Sequence, residues 1–132
     1  MVFVKAFVGT LVAFLVIDVV WIVRVVSPMY EEQLGGLLRA DPKLGAAVVF
    51  YLVYAAGVVY FAVLPAIASG GVRTALAKGA ILGGLTYGTY AFTNYALFEG
   101  WTVSLAVADV GWGIVLTAVT AACGLLAARL GS

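Results

Sequence analysis

The stretch from Gly79 to Asn94 reads GAILGGLTYGTYAFTN and decides how the chain folds. Wound as an α-helix, it places its small and polar residues on one side, because residues three or four positions apart share a helix face. The opposite side is apolar and carries Ile81, Leu85 and Phe92. In a water-soluble protein the polar side of such a helix would face solvent. That side consists of Gly79, Gly83, Thr86, Tyr87, Tyr90, Thr93 and Asn94.

The composition of the whole chain indicates that this polar side faces other helices instead. Of the 132 residues, 65% are hydrophobic and 10% are charged, whereas soluble domains are about half apolar and about a quarter charged. A soluble domain of this length would leave much of that apolar surface uncovered. The sequence therefore predicts an integral membrane protein with a polar interior.

The sequence contains four separate apolar runs. Each is long enough to cross about 30 Å of hydrocarbon as a helix, which takes about 20 residues. We predict helices at about residues 3–26, 44–66, 75–97 and 103–128, which together make residues 1–132 a single all-α domain, a four-helix transmembrane bundle. Ser27-Pro28 is a helix-start signal in the loop between helices one and two. It predicts a short helix on the membrane surface. The apolar residues of this surface helix are Met29, Tyr30, Leu34, Leu37 and Leu38.

Basic residues near the helix ends predict the orientation of the bundle. With the N-terminus inside the cell, four basic residues lie on the inner side and three on the outer side. We therefore expect both termini in the cytoplasm, while a dual topology stays open. The inner residues are Lys5, Arg73, Lys78 and Arg129, and the outer ones are Arg24, Arg39 and Lys43.

Two acidic residues fall inside the predicted hydrocarbon region, Asp18 in helix one and Asp109 in helix four. Because burying an acid there costs roughly 2.5–3.5 kcal/mol, such residues usually face the bundle and find a partner. Each stands three residues before a tryptophan, Trp21 or Trp112, so that both segments read D-V-x-W. On helices of opposite direction this echo suggests an inverted duplication, but five residues are too few to establish one.

Helices two and three add polar groups at a comparable depth, in the outer half of the membrane. Arg24 is the nearest cation, and from a neighbouring helix it could reach Asp109. We predict that one aspartate is paired and that the other is protonated or hydrogen-bonded. The predicted polar cluster consists of Asp18, Trp21, Arg24, Tyr51, Tyr54, Tyr87, Tyr90, Thr93, Asn94, Asp109 and Trp112.

This polar cluster has more than one interpretation. Its members could join helices by hydrogen bonds, each worth well under about 2 kcal/mol, in a structural or accessory membrane protein. They could instead bind or transport a small or amphipathic ligand, and a transporter of only four helices would be expected to form a homodimer. The small-residue pairs Gly79/Gly83 and Gly84/Gly88 let helices approach closely, and we expect packing within the chain to be their main use.

The composition also argues against several classes of function. Histidine is absent, which removes the commonest metal ligand and general base, and Cys123 is the single cysteine, so no disulfide or zinc-thiolate site can form within the chain. We therefore expect no metal and no cofactor, and catalysis by an aspartate is the last of the hypotheses. The basic residues are scattered singly and form no surface for nucleic acid. The expected partners are membrane lipids.

Five motifs together resemble a bacterial family of small four-helix membrane proteins of unknown function. The resemblance covers nearly the whole chain and implies the same fold, and with it a multi-pass protein of the bacterial cytoplasmic membrane. Because no activity is assigned to that family, the resemblance implies none here. The motifs are DxxW at 18–21, YExxLG at 30–35, FYLxYxxG at 50–57, YGTYxxTN at 87–94 and DxxWG at 109–113.

Overall fold

The computed structural model describes residues 2–26, 28–29, 32 and 44–130, and the regular structure within them is helical. Four long helices follow one another along the chain. Most of the predicted surface helix, including Tyr30, Leu34, Leu37 and Leu38, lies outside the described residues. Helix α1 is Val2–Trp21 and continues as a π-helical turn, Ile22–Val26. Helix α2 consists of Leu44–Val58, a π-helical turn at Val59–Val63, and Leu64–Ala68. Helix α3 is Gly71–Leu97, and helix α4 is Val103–Ala128.

Helix α4 lies at the centre of the bundle, packed antiparallel against both α3 and α1. Its buried positions recur every three or four residues, which is the spacing of one broad helix face. Three of them are threonine or aspartate, so the core of the bundle is partly polar. The buried residues of α4 are Leu105, Ala106, Asp109, Gly113, Leu116, Thr117, Thr120, Ala121, Gly124, Leu125 and Ala128.

Small residues allow α3 to approach α4 closely. A Cβ added at Gly79 would lie 2.7 Å from the carbonyl oxygen of Thr117, and one added at Gly83 would overlap the backbone of Gly113. Close approach of this kind replaces the hydrophobic driving force that is missing between helices in lipid. The Gly79/Gly83 pair therefore packs inside the chain.

The backbone of helix α2 lies close to that of α3 mainly along its second half. The residues from 59 to 68 pack against α3, whereas the first half packs mainly against α1. Pro65 has no N–H, and its ring crowds the carbonyl four residues earlier, so a regular α-helix is disfavoured there. The N–H of Leu64 donates instead to the oxygen of Val59, five residues back. This π-helical turn lies where α2 leaves α3, and the divergence opens a space between the two helices.

The two ends of the described chain meet at one end of the bundle, where the Lys5 Nζ donates a hydrogen bond to the carbonyl oxygen of Leu130. The turn between α2 and α3 is at the same end, since Gly71 lies beside the Arg129 guanidinium. Gly70 and Gly71 have φ of 90° and 58°, a left-handed conformation that favours glycine. The basic residues of the chain ends therefore lie together.

Among the described residues, three helices are long and apolar enough to cross a membrane: Val2–Val25, Gly45–Ala68 and Val103–Ala128. The third predicted crossing falls on α3, which is more polar. Helix α3 begins at Gly71, earlier than the expected start at Ala75, and so includes Arg73 and Lys78.

Candidate functional site

A cleft of about 700 Å³ lies where the first half of α2 diverges from α3. Its base is formed by α1 and α4, and its sides by α2 and α3. As the described residues form it, the cleft is open on the side where Phe50 is 53% exposed and Leu85 is 66% exposed. The cleft is lined by Asp18, Trp21, Ile22, Phe50, Tyr51, Tyr54, Leu85, Thr86, Tyr87, Thr89, Tyr90, Asp109 and Trp112.

Asp18 is the acidic group whose contacts are best defined. It is 6% exposed, and its Oδ1 accepts a hydrogen bond of 3.1 Å from the Nε1 of Trp112 on α4. The hydroxyl of Tyr51 on α2 is a second partner of the same carboxylate. Asp18 thus links three helices. Both donors are neutral, so neither balances the charge that Asp18 carries when it is ionised.

The two DVxW segments meet at the base of the cleft. The Trp21 and Trp112 rings stack with their centroids 4.1 Å apart and their planes 4° apart. Trp112 donates to Asp18, but the reciprocal bond to Asp109 is not formed: the Nε1 of Trp21 is buried without an acceptor among the described residues. Stacking is therefore the main contact that holds the Trp21 ring.

Tyr54 is the most buried of the aromatic residues that line the cleft, which together form its aromatic wall. Its hydroxyl is 2.7 Å from the Oγ1 of Thr117 on α4 and 3.1 Å from the Oγ1 of Thr86 on α3. Thr86 also donates to the carbonyl oxygen of Leu82 at 2.9 Å. Under the wall, the buried ring of Phe14 contacts Tyr54 at 5.4 Å between ring centroids. This tyrosine therefore joins the otherwise divergent half of α2 to α3 and α4.

Both aspartates line the same cleft, Asp18 from α1 and Asp109 from α4. Asp109 is 9% exposed and comes from the first turns of α4. Tyr87 of α3 lines the cleft together with both carboxylates. The interior of the bundle is therefore acidic and aromatic at this depth.

Eight of the eleven residues of the predicted polar cluster line the cleft, and three do not. Arg24 lies on the exposed side of the π-helical end of α1, and Thr93 is exposed on α3. Asn94 is half-buried near the end of α3, where its backbone carbonyl oxygen accepts a hydrogen bond of 2.9 Å from the backbone N–H of Phe98. The eight are Asp18, Trp21, Tyr51, Tyr54, Tyr87, Tyr90, Asp109 and Trp112.

Sequence reasoning missed five residues of the lining. Thr86 belongs to the polar face of the Gly79–Asn94 stretch, and this was the signal that could have found it. Leu85 was assigned to the apolar side, which faces outward, but the cleft opens on that side. The other missed residues are Ile22, Phe50 and Thr89.

The donor set gives no support for a metal site in the part of the chain that the structure describes. No group of three or more Cys, Asp or Glu side chains converges there. The chemistry available in the cleft is therefore that of carboxylates, hydroxyls and aromatic rings.

The helices and the cleft define a class of protein, a small bundle of mostly apolar helices with an open cleft between them. A family model described as "Predicted membrane protein (DUF2177)" matches residues 3–126, so the chain belongs to this membrane protein family of unknown function. The match confirms the resemblance found in the sequence and, with the three apolar helices, makes the protein membrane-embedded. No curated protein and no solved structure matches the chain.

Replacing Trp112 by phenylalanine tests the hydrogen bond at the base of the cleft. The change keeps an aromatic ring against Trp21 but removes the N–H that Asp18 accepts. Hydrogen bonds between membrane helices average about 0.6 kcal/mol and reach about 1.7 kcal/mol. We expect Trp112→Phe to lower the free energy of unfolding by about 1–1.7 kcal/mol in micelles.

Trp21→Phe is the matched control for this prediction, because it makes the same change on the other ring of the stack. The indole nitrogen of Trp21 has no acceptor within the described residues, so no hydrogen bond is lost. Chemical unfolding of both variants, followed by circular dichroism, measures the difference. Equal destabilisation by the two substitutions would show that ring size, and not the bond to Asp18, holds α1 against α4.

Proposed function

We propose that the protein binds an amphipathic small molecule that enters the cleft sideways from the lipid phase. The observation that carries this proposal is the shape of the cleft together with its chemistry. Its rim has exposed apolar side chains, Phe50 and Leu85, while its base has the carboxylates of Asp18 and Asp109. A molecule with one polar and one apolar end matches that gradient.

The volume of the cleft supports the same proposal. Sites for small molecules are mostly apolar hollows of about 300–1,000 Å³ with a few polar groups that orient the ligand. The cleft has about 700 Å³, and seven of its thirteen lining residues are aromatic. Interhelical packing alone would be expected to fill such a volume, because protein interiors are close-packed.

The proposal includes four membrane crossings, with α3 as the fourth. Its 27 residues span about 40 Å at about 1.5 Å per residue, which exceeds the about 30 Å of hydrocarbon. Its outward side carries Ile81, Leu85 and Phe92, which are half or more exposed. Thr86 and Tyr87 of α3 would then face the inside of the bundle.

We further propose that the end of the bundle with both chain ends faces the cytoplasm, in the cytoplasmic membrane of a bacterium. Lys5 and Arg129 lie at that end, and Arg73 belongs to the first turn of α3, directly after the turn there. Positive charge near helix ends favours the cytoplasmic side. The homodimer stays a prediction. The described lining of the cleft comes from one chain.

A structural or accessory role is the second candidate, and a specific observation favours it. The bonds of Asp18 to Trp112 and of Tyr54 to Thr86 and Thr117 join all four helices through neutral donors. Such bonds would fix the order of the helices without any ligand. This role alone leaves the open volume of the cleft without a use.

Blocking the cleft separates these two candidates. Thr89 lines the cleft, is exposed, and donates only to the carbonyl oxygen of Leu85 on its own helix at 2.7 Å. Thr89→Phe therefore adds bulk at the opening without breaking a bond between helices. Ile81→Phe is the control, since Ile81 is 63% exposed on the same helix and does not line the cleft.

Binding is measured by the quenching of Trp21 and Trp112 in a Trp101→Phe background, which leaves these two as the tryptophans of the chain. The probes are dodecyl chains that carry bromine on carbon atoms close to the head group, with a neutral maltoside, a cationic trimethylammonium or an anionic sulfate head. We expect saturable quenching by at least one probe, weakened about tenfold or more by Thr89→Phe and unchanged by Ile81→Phe. Quenching that never saturates, or that ignores Thr89→Phe, would leave the structural role.

A further inference from the structure

We infer that the ligand of the cleft is an organic cation, a quaternary ammonium or protonated amine with an apolar tail. This inference rests on the proposed function and adds the chemical class of the ligand. The geometry that carries it is a carboxylate with neutral partners at the base of a space walled by aromatic rings. Each of these features attracts positive charge by a separate physical effect.

The first effect is the unbalanced charge of Asp18. Its described partners are the N–H of Trp112 and the hydroxyl of Tyr51, which are neutral. A charge held away from water is costly unless an opposite charge lies beside it. Two acidic residues and no basic residue occur among the described residues of the lining, and Arg24 points outward. A cationic ligand would supply the positive charge that the described lining of the cleft lacks.

The second effect is the attraction between cations and aromatic faces. A cation within about 6 Å of a ring centroid is attracted by the negative face of the ring, most strongly by tryptophan, and quaternary ammonium groups are recognised in this way. The stacked pair Trp21 and Trp112 stands at the base, directly beside Asp18. The remaining aromatic residues of the lining are Phe50, Tyr51, Tyr54, Tyr87 and Tyr90.

The hydroxyl groups of the cleft argue against a neutral polar head such as a sugar. Thr86 and Thr89 donate to carbonyl oxygens of their own helix. The Tyr54 hydroxyl is engaged by two threonines, and that of Tyr51 by Asp18. Four of the six hydroxyl groups of the described lining are therefore already engaged within the protein, which leaves fewer donors for a ligand rich in hydroxyl groups. An anionic head would be repelled by ionised Asp18.

The described residues leave the apolar tail of the ligand a way out of the cleft. From the base at Asp18, the cleft leads between the first half of α2 and α3 to the exposed rim at Phe50 and Leu85. A head group held against the two tryptophans would then leave its tail among lipid chains. Entry and exit would need no movement of α1 or α4.

The three brominated probes decide between charge and shape, because they differ only in the head group. The protein, with the Trp101→Phe background, is held in uncharged micelles without brominated chains. We expect the trimethylammonium probe to bind about tenfold or more tightly than the maltoside and sulfate probes. Asp18→Asn should remove most of that preference, while Asp18→Glu should retain it.

The outcomes distinguish this inference from the proposed function. If the three probes bind equally and Thr89→Phe weakens them all, the cleft is a binding site but the cationic ligand is wrong. If no probe gives saturable quenching, both proposals fail together. The comparison of head groups on the unsubstituted cleft is decisive even if Asp18→Asn does not fold.

Discussion

Alanine in place of Gly83 is expected to force α3 away from α4 and to lower the free energy of unfolding by about 3 kcal/mol or more. The new Cβ would overlap the carbonyl group of Gly113 and approach the Cβ of Thr117. Overpacking costs about 1–3 kcal/mol where side chains can adjust, and occasionally more. Here the obstacle is backbone, which cannot rotate out of the way, so the cost falls at or above the top of that range.

Gly88→Ala gives a matched control for this substitution on the same helix. The nearest atom to a Cβ at Gly88 is the Cγ2 of Val110 at 4.0 Å, an ordinary contact distance. Because alanine favours a helix over glycine by about 1 kcal/mol, we expect Gly88→Ala to be neutral or slightly stabilising. Thermal unfolding in micelles, followed by size-exclusion chromatography, measures both variants. Similar midpoints for the two would show that α3 does not pack on α4 as described.

The Gly83–Gly113 contact also has a consequence for the cleft. Gly113 faces the ring of Tyr87, and a Cβ there would overlap that ring. The absence of side chains at this crossing therefore leaves room for Tyr87 to pack against Gly113 and line the cleft. The packing of α3 on α4 and the aromatic wall thus depend on the same small residues.

The helical class and the family could be predicted from the sequence, because both follow from apolar run length and local motifs. The π-helical turn of α2 could not. Pro65 marks a place where the α-helix is disfavoured, but several distortions could relieve the crowding, and the neighbouring helices decide which one forms. The early start of α3 at Gly71 was missed because Arg73 and Lys78 are polar, although helical hydrogen bonds do not depend on side-chain polarity.

The candidate site was predictable where a single helix determines which way a side chain faces. Asp18 and Asp109 were expected to face the bundle because burial in lipid is costly, and both are buried in the structure. Arg24 and Asn94 were included for their depth, but their direction depends on how each helix is rotated against its neighbours. Leu85 was missed because the opening is made by two helices diverging, which no periodicity within one helix records.

Phe14→Ala is expected to produce the second large loss of stability and to disorganise the cleft from below. Phe14 is fully buried, and its ring contacts Tyr51 edge-on at 5.2 Å and Tyr54 at 5.4 Å between centroids. In soluble proteins Phe→Ala costs about 3–5 kcal/mol, partly for the cavity left behind. In lipid the unfolded side chain stays in an apolar medium, so we expect the low end, about 3 kcal/mol.

Leu15→Ala is the control for this substitution, since Leu15 is the next residue on α1 and is 37% exposed. It should change the free energy of unfolding by less than about 1 kcal/mol, because its side chain borders lipid in both states. Phe14→Ala should also weaken the saturable quenching of Trp21 and Trp112, since Tyr51 and Tyr54 lose the ring that supports them. If Phe14→Ala lowers stability and leaves quenching unchanged, Tyr51 and Tyr54 are held in place by their hydroxyl bonds alone. Phe14 would then contribute to stability and not to binding.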